Sequence, residues 1–190
     1  MKISILRELQ SHKDVFEKVL VLLQQDIEKA CRMAVETLQA GHKIMFCGNG
    51  GSAADAQHLA AELTGRFKKD RQALAGLALT TDTSALTAIS NDYDFDVVFA
   101  RQVEALAQNG DLLIGISTSG NSKNIIRAFD SARDRGCRTI GLCGRDGGHF
   151  HNRCDLNIVV PADTSARVQE MHILIGHIMC QMIDDHCSVD

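Results

Sequence analysis

Five short apolar runs, Lys43–Cys47, Gly76–Leu79, Leu112–Ile116, Thr139–Leu142 and Leu156–Val160, constrain this chain more than any other feature. Each has the length of a strand, and none alternates polar with apolar residues, which is the pattern of strands buried on both faces. Between them apolar residues return every three or four positions, predicting helices near 53–64, 83–90, 95–107, 122–135 and 165–186. Buried strands that alternate with helices predict right-handed crossovers and a parallel sheet covered on both sides. The expected fold class is α/β, a three-layer sandwich around a five-stranded parallel sheet. Ahead of the first run, Ile5, Leu6, Leu9, Phe16, Val19, Leu20 and Leu23 keep helical spacing, and Ile27 to Leu38 continues it up to the glycine stop at Gly41. These predict extra N-terminal helices, a segment of about 1–40. A chain of 190 residues that is 45% hydrophobic can bury one sizeable core, so a single domain over 1–190 is expected.

The charge balance excludes several functions. A net charge of −4 without any long run of Lys or Arg offers no footprint for nucleic acid or an anionic membrane, so an anionic substrate has to be held by local geometry. The opening residues Met1 to Glu8 break their apolar positions with charge too early for a signal-peptide core, and no window approaches 18 uncharged apolar residues. A soluble, cytoplasmic protein is expected. Seven cysteines, an odd number without a C-x-x-C pair and mostly inside apolar runs, read as reduced, buried thiols. With no Trp and one Tyr, stacking on bases is a poor candidate for the chemistry.

Ligands of such sheets bind beyond the carboxyl ends of the strands, and two turns there resemble each other. Gly48-Asn49-Gly50-Gly51-Ser52 follows the first run, Ser117-Thr118-Ser119-Gly120-Asn121-Ser122 follows the third, and a helix follows each. Glycine lets the backbone approach a ligand, hydroxyls add donors, and a helix N-terminus favours negative charge. Both turns suit an anion or a polyhydroxylated chain. The plainer reading, ordinary turn chemistry with Ser as an N-cap, fits one such turn better than two. Neither has the G-x-G-x-x-G or G-K-[ST] spacing of nucleotide sites.

Directly after the first turn, His58 and Glu62 stand four residues apart on one helix face, a spacing that binds a divalent metal, shares proton transfer, or is an ordinary surface pair. The last helix carries Gln169, His172 and His177 in a largely apolar stretch, where His172 reads as a core residue. Gln169 and His177 are separated by about 12 Å of helix rise, so serving one metal requires their side chains to lean together or to come from two chains.

As a set, Cys47 to His58, Ala61 to Arg66, Ser90-Asn91-Asp92, Gly115 to Ser122 and Ala166 to His172 resemble the motif series of bacterial phosphoheptose isomerases, members of the sugar isomerase (SIS) family, in order and spacing over nearly the full chain. The resemblance implies a SIS fold of flavodoxin-like type and conversion of D-sedoheptulose 7-phosphate to D-glycero-D-manno-heptose 7-phosphate, the first step towards the heptose of lipopolysaccharide and other surface glycans. It implies a cytoplasmic homotetramer whose active sites are lined by more than one subunit, and zinc, one per subunit. By correspondence His58, Glu62, Gln169 and His177 match the metal positions, and Glu62 and His177 the acid/base pair. Asn49, Gly50, Gly51, Ser52, Glu62, Asn91, Asp92, Ser117, Thr118, Ser119, Ser122 and Gln169 are the substrate-lining candidates. Ala166 departs from members that carry Asp there. The alternative of another class is a non-catalytic tetrameric SIS binding module that associates with the replication initiator; such proteins lack the Glu and His that this chain keeps at 62 and 177.

Overall fold

A computed structural model describes residues 2–187. Helices α1 (Lys2–Leu22) and α2 (Gln24–Gln39) precede strand β1 (Ile44–Gly48), helix α3 (Gly51–Thr64), strand β2 (Gly76–Ala78) and helix α4 (Thr83–Asp92). Helix α5 (Val98–Leu106), strand β3 (Leu112–Ser117), helix α6 (Lys123–Asp134), strand β4 (Arg138–Gly144), strand β5 (Leu156–Val160) and helix α7 (Ser165–Cys187) complete the order. The expected helix at 95–107 is divided. Asp94, in extended conformation, accepts from the amide of Asp96 and tightens Phe95–Val97 into a 3-10 turn before α5 begins.

All pairings in the sheet are parallel and its order is β2-β1-β3-β4-β5. Strand side chains point alternately to opposite faces, and both faces here are apolar. Ile44 and Phe46 of β1 join a core with α1, α2, α3 and α7, whereas Met45 and Cys47 join one with α5 and α6. The absence of polar alternation in the five runs is the direct consequence of these two cores. Of the seven thiols, Cys31, Cys47, Cys137, Cys143 and Cys180 are buried. Burial pushes Cys143 and Cys180 up to about 12, so neither is a ready nucleophile.

At the amino end of the sheet, Asp111 accepts from the amides of Lys43 (3.0 Å) and Gln108 (2.8 Å) and pairs with Lys43 Nζ. At the carboxyl end, β1 and β3 are neighbours while the chain leaves them for different sides, which opens a crevice between their following loops. The two glycine-rich turns face each other across it. No helix among the described residues is long and apolar enough to cross a membrane.

Candidate active site

Local sterics shape the first loop. A Cβ at Gly48 would sit 2.4 Å from the carbonyl oxygen of Ser52, and Gly50 has φ 57° with ψ −121°, a conformation open to glycine. The chain therefore folds back on itself and enters α3 at Gly51. Ser52 is buried beneath the turn. In the second loop Gly120 has φ 65°, and any Cβ would strike the carbonyl of Gly147. Ser122 is the N-cap residue of α6, yet its hydroxyl makes no cap bond; it meets the hydroxyl of Ser117 at 2.8 Å instead. The plain N-cap reading of that serine is not what the fold uses. Asn121 turns away to brace the loop after β4, accepting from the amide of His149 at 3.0 Å.

The two loops are joined by a residue the sequence reading missed. Asn49 and the buried Asn124 exchange amide hydrogen bonds of 3.0 and 2.9 Å, which fixes the gap between the turns. Thr118 reaches Ser165 at the start of α7 at 3.4 Å, so the second loop also touches the last helix. Ser119 accepts from the amide of Asn121 at 3.3 Å. Asn91 and Asp92 stand at the far end of α4, exposed and bonded to each other at 2.8 Å, and among the described residues they make no hydrogen bond to either loop.

Helices α3 and α7 lie side by side, and Gly176 permits the close approach: a Cβ there would be 2.5 Å from Leu59 Cδ2. One consequence is that His58, Glu62 and His177 converge. His58 Nε2 lies 2.9 Å from His177 Nε2 and 3.2 Å from Glu62 Oε1, and the ligand-capable atoms of all three fall within 4.8 Å of one another. Two Nε2 atoms at hydrogen-bond distance require one to donate and one to accept, so at least one ring offers a lone pair. Two imidazoles and a carboxylate form the donor set of a catalytic zinc site with one open position. Tetrahedral ligation at about 2.0–2.1 Å places two nitrogens on the order of 3.3 Å apart, a small widening from what is found. The residues fit such an ion. Gln169 lies two turns earlier on α7, its amide packed against Gly51 at the opposite end of α3.

Asp55, on the same helical face as His58 and Glu62, was also missed, although the spacing 55, 58, 62 carried the signal. Its Oδ2 is buried without a hydrogen-bond partner among the described residues. Burial raises its carboxyl above the usual range, against the opposing influence of His58. His172 sits in the core, donating to the carbonyl of Cys143 at 3.1 Å.

A parallel sheet in this order, two hydroxyl- and glycine-rich loops at its switch point and a His/Glu cluster behind them define the class, and the family model for the SIS domain matches residues 9–144. The phosphoheptose isomerase of Aliarcobacter butzleri is 62% identical over 188 residues, covering 99% of this chain and 100% of that protein. Solved structures of phosphoheptose isomerases from Neisseria gonorrhoeae (45% identity, TM-score 0.92, 97% of this chain and 98% of that one) and Francisella tularensis (37%, 0.93, 96% and 97%) share the fold. The chain belongs to the phosphoheptose isomerase family, within the sugar-phosphate isomerases of the SIS fold.

Proposed function

We propose that this chain interconverts D-sedoheptulose 7-phosphate and D-glycero-D-manno-heptose 7-phosphate, supplying heptose for lipopolysaccharide or other surface glycans. The observation that carries the reading is the placement of the His58, Glu62 and His177 cluster about half the length of α3 beyond the first loop. Seven residues of helix from Gly51 to His58 rise about 10 Å. A seven-carbon phosphate with bonds of about 1.5 Å spans a similar distance when extended. With its phosphate among Ser117, Thr118, Ser119 and Ser122, at the N-terminus of α6, its reacting carbons reach the cluster. Asn49, Gly50, Gly51, Ser52 and Gln169 flank the chain between.

The ketose-to-aldose direction needs a proton taken from C1 while O2 gains one, giving an enediol, and then a proton returned to C2 while O1 loses one. Glu62 is assigned the carbon-bound proton and His177 the oxygen-bound ones. His58, Glu62, His177 and Gln169 are assigned to zinc, one per subunit; when bound, the ion supplies Lewis-acid polarisation of the carbonyl. Within one chain the Gln169 amide packs at Gly51, about 10 Å of helix from His58, so Gln169 is assigned to complete the set from a neighbouring chain.

A cytoplasmic homotetramer with shared sites is part of the reading. Ile3, Leu6, Leu9, Leu20 and Val21 leave an apolar face of α1 exposed, and an apolar groove of about 330 Å³ opens between α1, α2 and α7. Met171, Ile175, Met179 and Ile183 of α7, by contrast, are buried within the chain's own core and offer no such face. Asn91 and Asp92, about 12 Å of helix from the start of α4, are assigned to the substrate of a neighbouring chain.

The test is incubation of the purified protein with sedoheptulose 7-phosphate, with and without a chelator, followed by NMR of the product. Conversion to the aldose is expected. Binding without conversion would sink the enzyme reading in favour of a binding module.

A further inference from the structure

Nine residues beyond Glu62, Arg71 lies in the segment joining α3 to β2, its side chain 1% exposed against Asp184, which is fully buried. Its Nε donates to Asp184 Oδ1 at 2.7 Å. The rest of the guanidinium turns back on the end of α3. Nη2 donates to the carbonyl of Glu62 at 2.8 Å, and Nη1 to those of Leu63 and Gln72 at 3.1 Å. The last carbonyls of a helix lack intrahelical partners, so Arg71 satisfies two of them, one being that of Glu62 itself.

Asp184 follows His177 by seven residues, two turns along the same face of α7. Its other oxygen accepts from the amides of Lys68 (2.8 Å) and Lys69 (3.0 Å). Those bonds pin the residues next to Phe67, whose ring stacks on His177 with centroids 5.5 Å apart and planes 28° apart. One buried ion pair thus holds the backbone of Glu62, the helix of His177 and the aromatic cover of that imidazole. Desolvating two charges offsets most of what a buried pair gains in attraction, so stability alone is a weak reason for it. Position is the better one.

We propose that the Arg71–Asp184 pair is the positioning device of the active site: it sets the spacing of Glu62 and His177 and seats Phe67 so that the His177 ring keeps its orientation. The inference rests on the acid/base reading of Glu62 and His177. Arg71, Asp184 and Phe67 act through those two residues and are positioning residues.

The test uses Arg71→Lys and Phe67→Leu in the full chain, with Lys43→Met as control. Lysine keeps the charge opposite Asp184, but one ammonium does not reproduce the planar fork that reaches Asp184, Glu62 and Leu63 together. Leucine keeps apolar volume at 67 without the ring. Each should fold and hold KM within about threefold while kcat falls at least about tenfold, the signature of displaced catalytic groups. Lys43→Met breaks an ion pair at the opposite end of the sheet and should lower Tm with kcat intact. Should Arg71→Lys not fold, Phe67→Leu, at a partly exposed position, decides alone. Wild-type kcat in the folded variants, with Glu62→Gln inactive, overturns the positioning role and leaves the acid/base reading standing. An active Glu62→Gln overturns the acid/base reading and this inference with it.

Discussion

Gly51→Ala separates the stability of this fold from its chemistry. Gly51 opens α3 without a left-handed φ, so alanine is conformationally allowed there. Its Cβ would stand 2.6 Å from Gln169 Nε2 and 3.1 Å from Gln169 Cδ and Oε1. To reach ordinary van der Waals contact the amide has to retreat by about 0.8 Å. That amide is the far end of a flexible side chain, so retreat costs on the order of 1 kcal/mol in rotamer strain. Alanine's better helix propensity offsets up to about 1 kcal/mol. The net change in stability is close to zero, and for a chain of this size Tm should stay within about 4 °C. Catalysis tolerates far less, because a misplacement of about 1 Å can cost about 10²-fold. We expect kcat/KM to fall about 10- to 100-fold, read by NMR of the aldose product alongside a thermal melt. Gly115→Ala supplies the contrast: its Cβ would meet Ile125 Cγ2 and Phe129 Cζ at 2.5 Å inside the core. It should cost about 1–3 kcal/mol of stability with little direct effect on kcat. Full activity in Gly51→Ala would refute the placement of Gly51 and Gln169 at the substrate, and a Tm loss above about 10 °C would refute the free retreat of the amide.

Glu62→Gln should fold normally and lose about 10²–10⁴-fold in kcat, with exchange of the carbon-bound hydrogen into deuterated solvent falling in parallel; exchange that persists would assign the proton to another residue. Ser119→Ala and Ser122→Ala should raise KM, each by the equivalent of about 1–3 kcal/mol, with kcat nearly unchanged, since the phosphate does not alter during the reaction. Burial holds His172 down to about 4, while the unfolded residue titrates near 6.5. Its folded value is the lower one, so its contribution is complete above about pH 6.5 and is lost as pH falls through 4, up to about 3 kcal/mol. Urea titrations at pH 7.5 and 5 should show about 2 kcal/mol of this loss, and an equal loss in His172→Gln would assign it elsewhere. Light scattering should report a tetramer that Leu9→Glu, on the exposed face of α1, dissociates; a wild-type monomer at micromolar concentration would remove the shared-site reading.

Strand positions were legible because each of the five runs is covered on both faces, which leaves no polar alternation to blur it. The paired loops were legible because glycine and serine cluster where the backbone has to fold back, as at Gly48 and Gly50. The convergence of His58 and Glu62 with His177 was only half legible: the first two share a helix face, but the third joins them through a close helix contact at Gly176. Asn124 reads as one more polar residue in a first helical turn, and only the neighbouring strand order brings it to Asn49. Arg71 was the least accessible. Residues 65–72 are mostly charged and carry no apolar periodicity, yet the Arg71 guanidinium is buried against a partner 113 residues further along the chain. Local periodicity carries no trace of such a pairing.

Glu62 stands between two demands. A carboxylate engaged by a cation is a weaker base, so a residue that ligates a metal and abstracts a proton with the same lone pair does both poorly. The geometry offers a way to divide these two proposed tasks. Oε1 of Glu62 faces His58 Nε2 at 3.2 Å, on the side where His177 closes the donor set. Among the described residues, no hydrogen bond engages the second oxygen, and the side chain is partly exposed. On the proposed reading, one oxygen belongs to the cluster and the other to the substrate. Holding that division requires the carboxylate plane to be fixed from behind. Arg71 on the carbonyl of Glu62 and the close seat of Leu59 against Gly176 both act on the backbone that carries it. On that reading, the end of α3 matters to the chemistry as much as the residues assigned to the sugar.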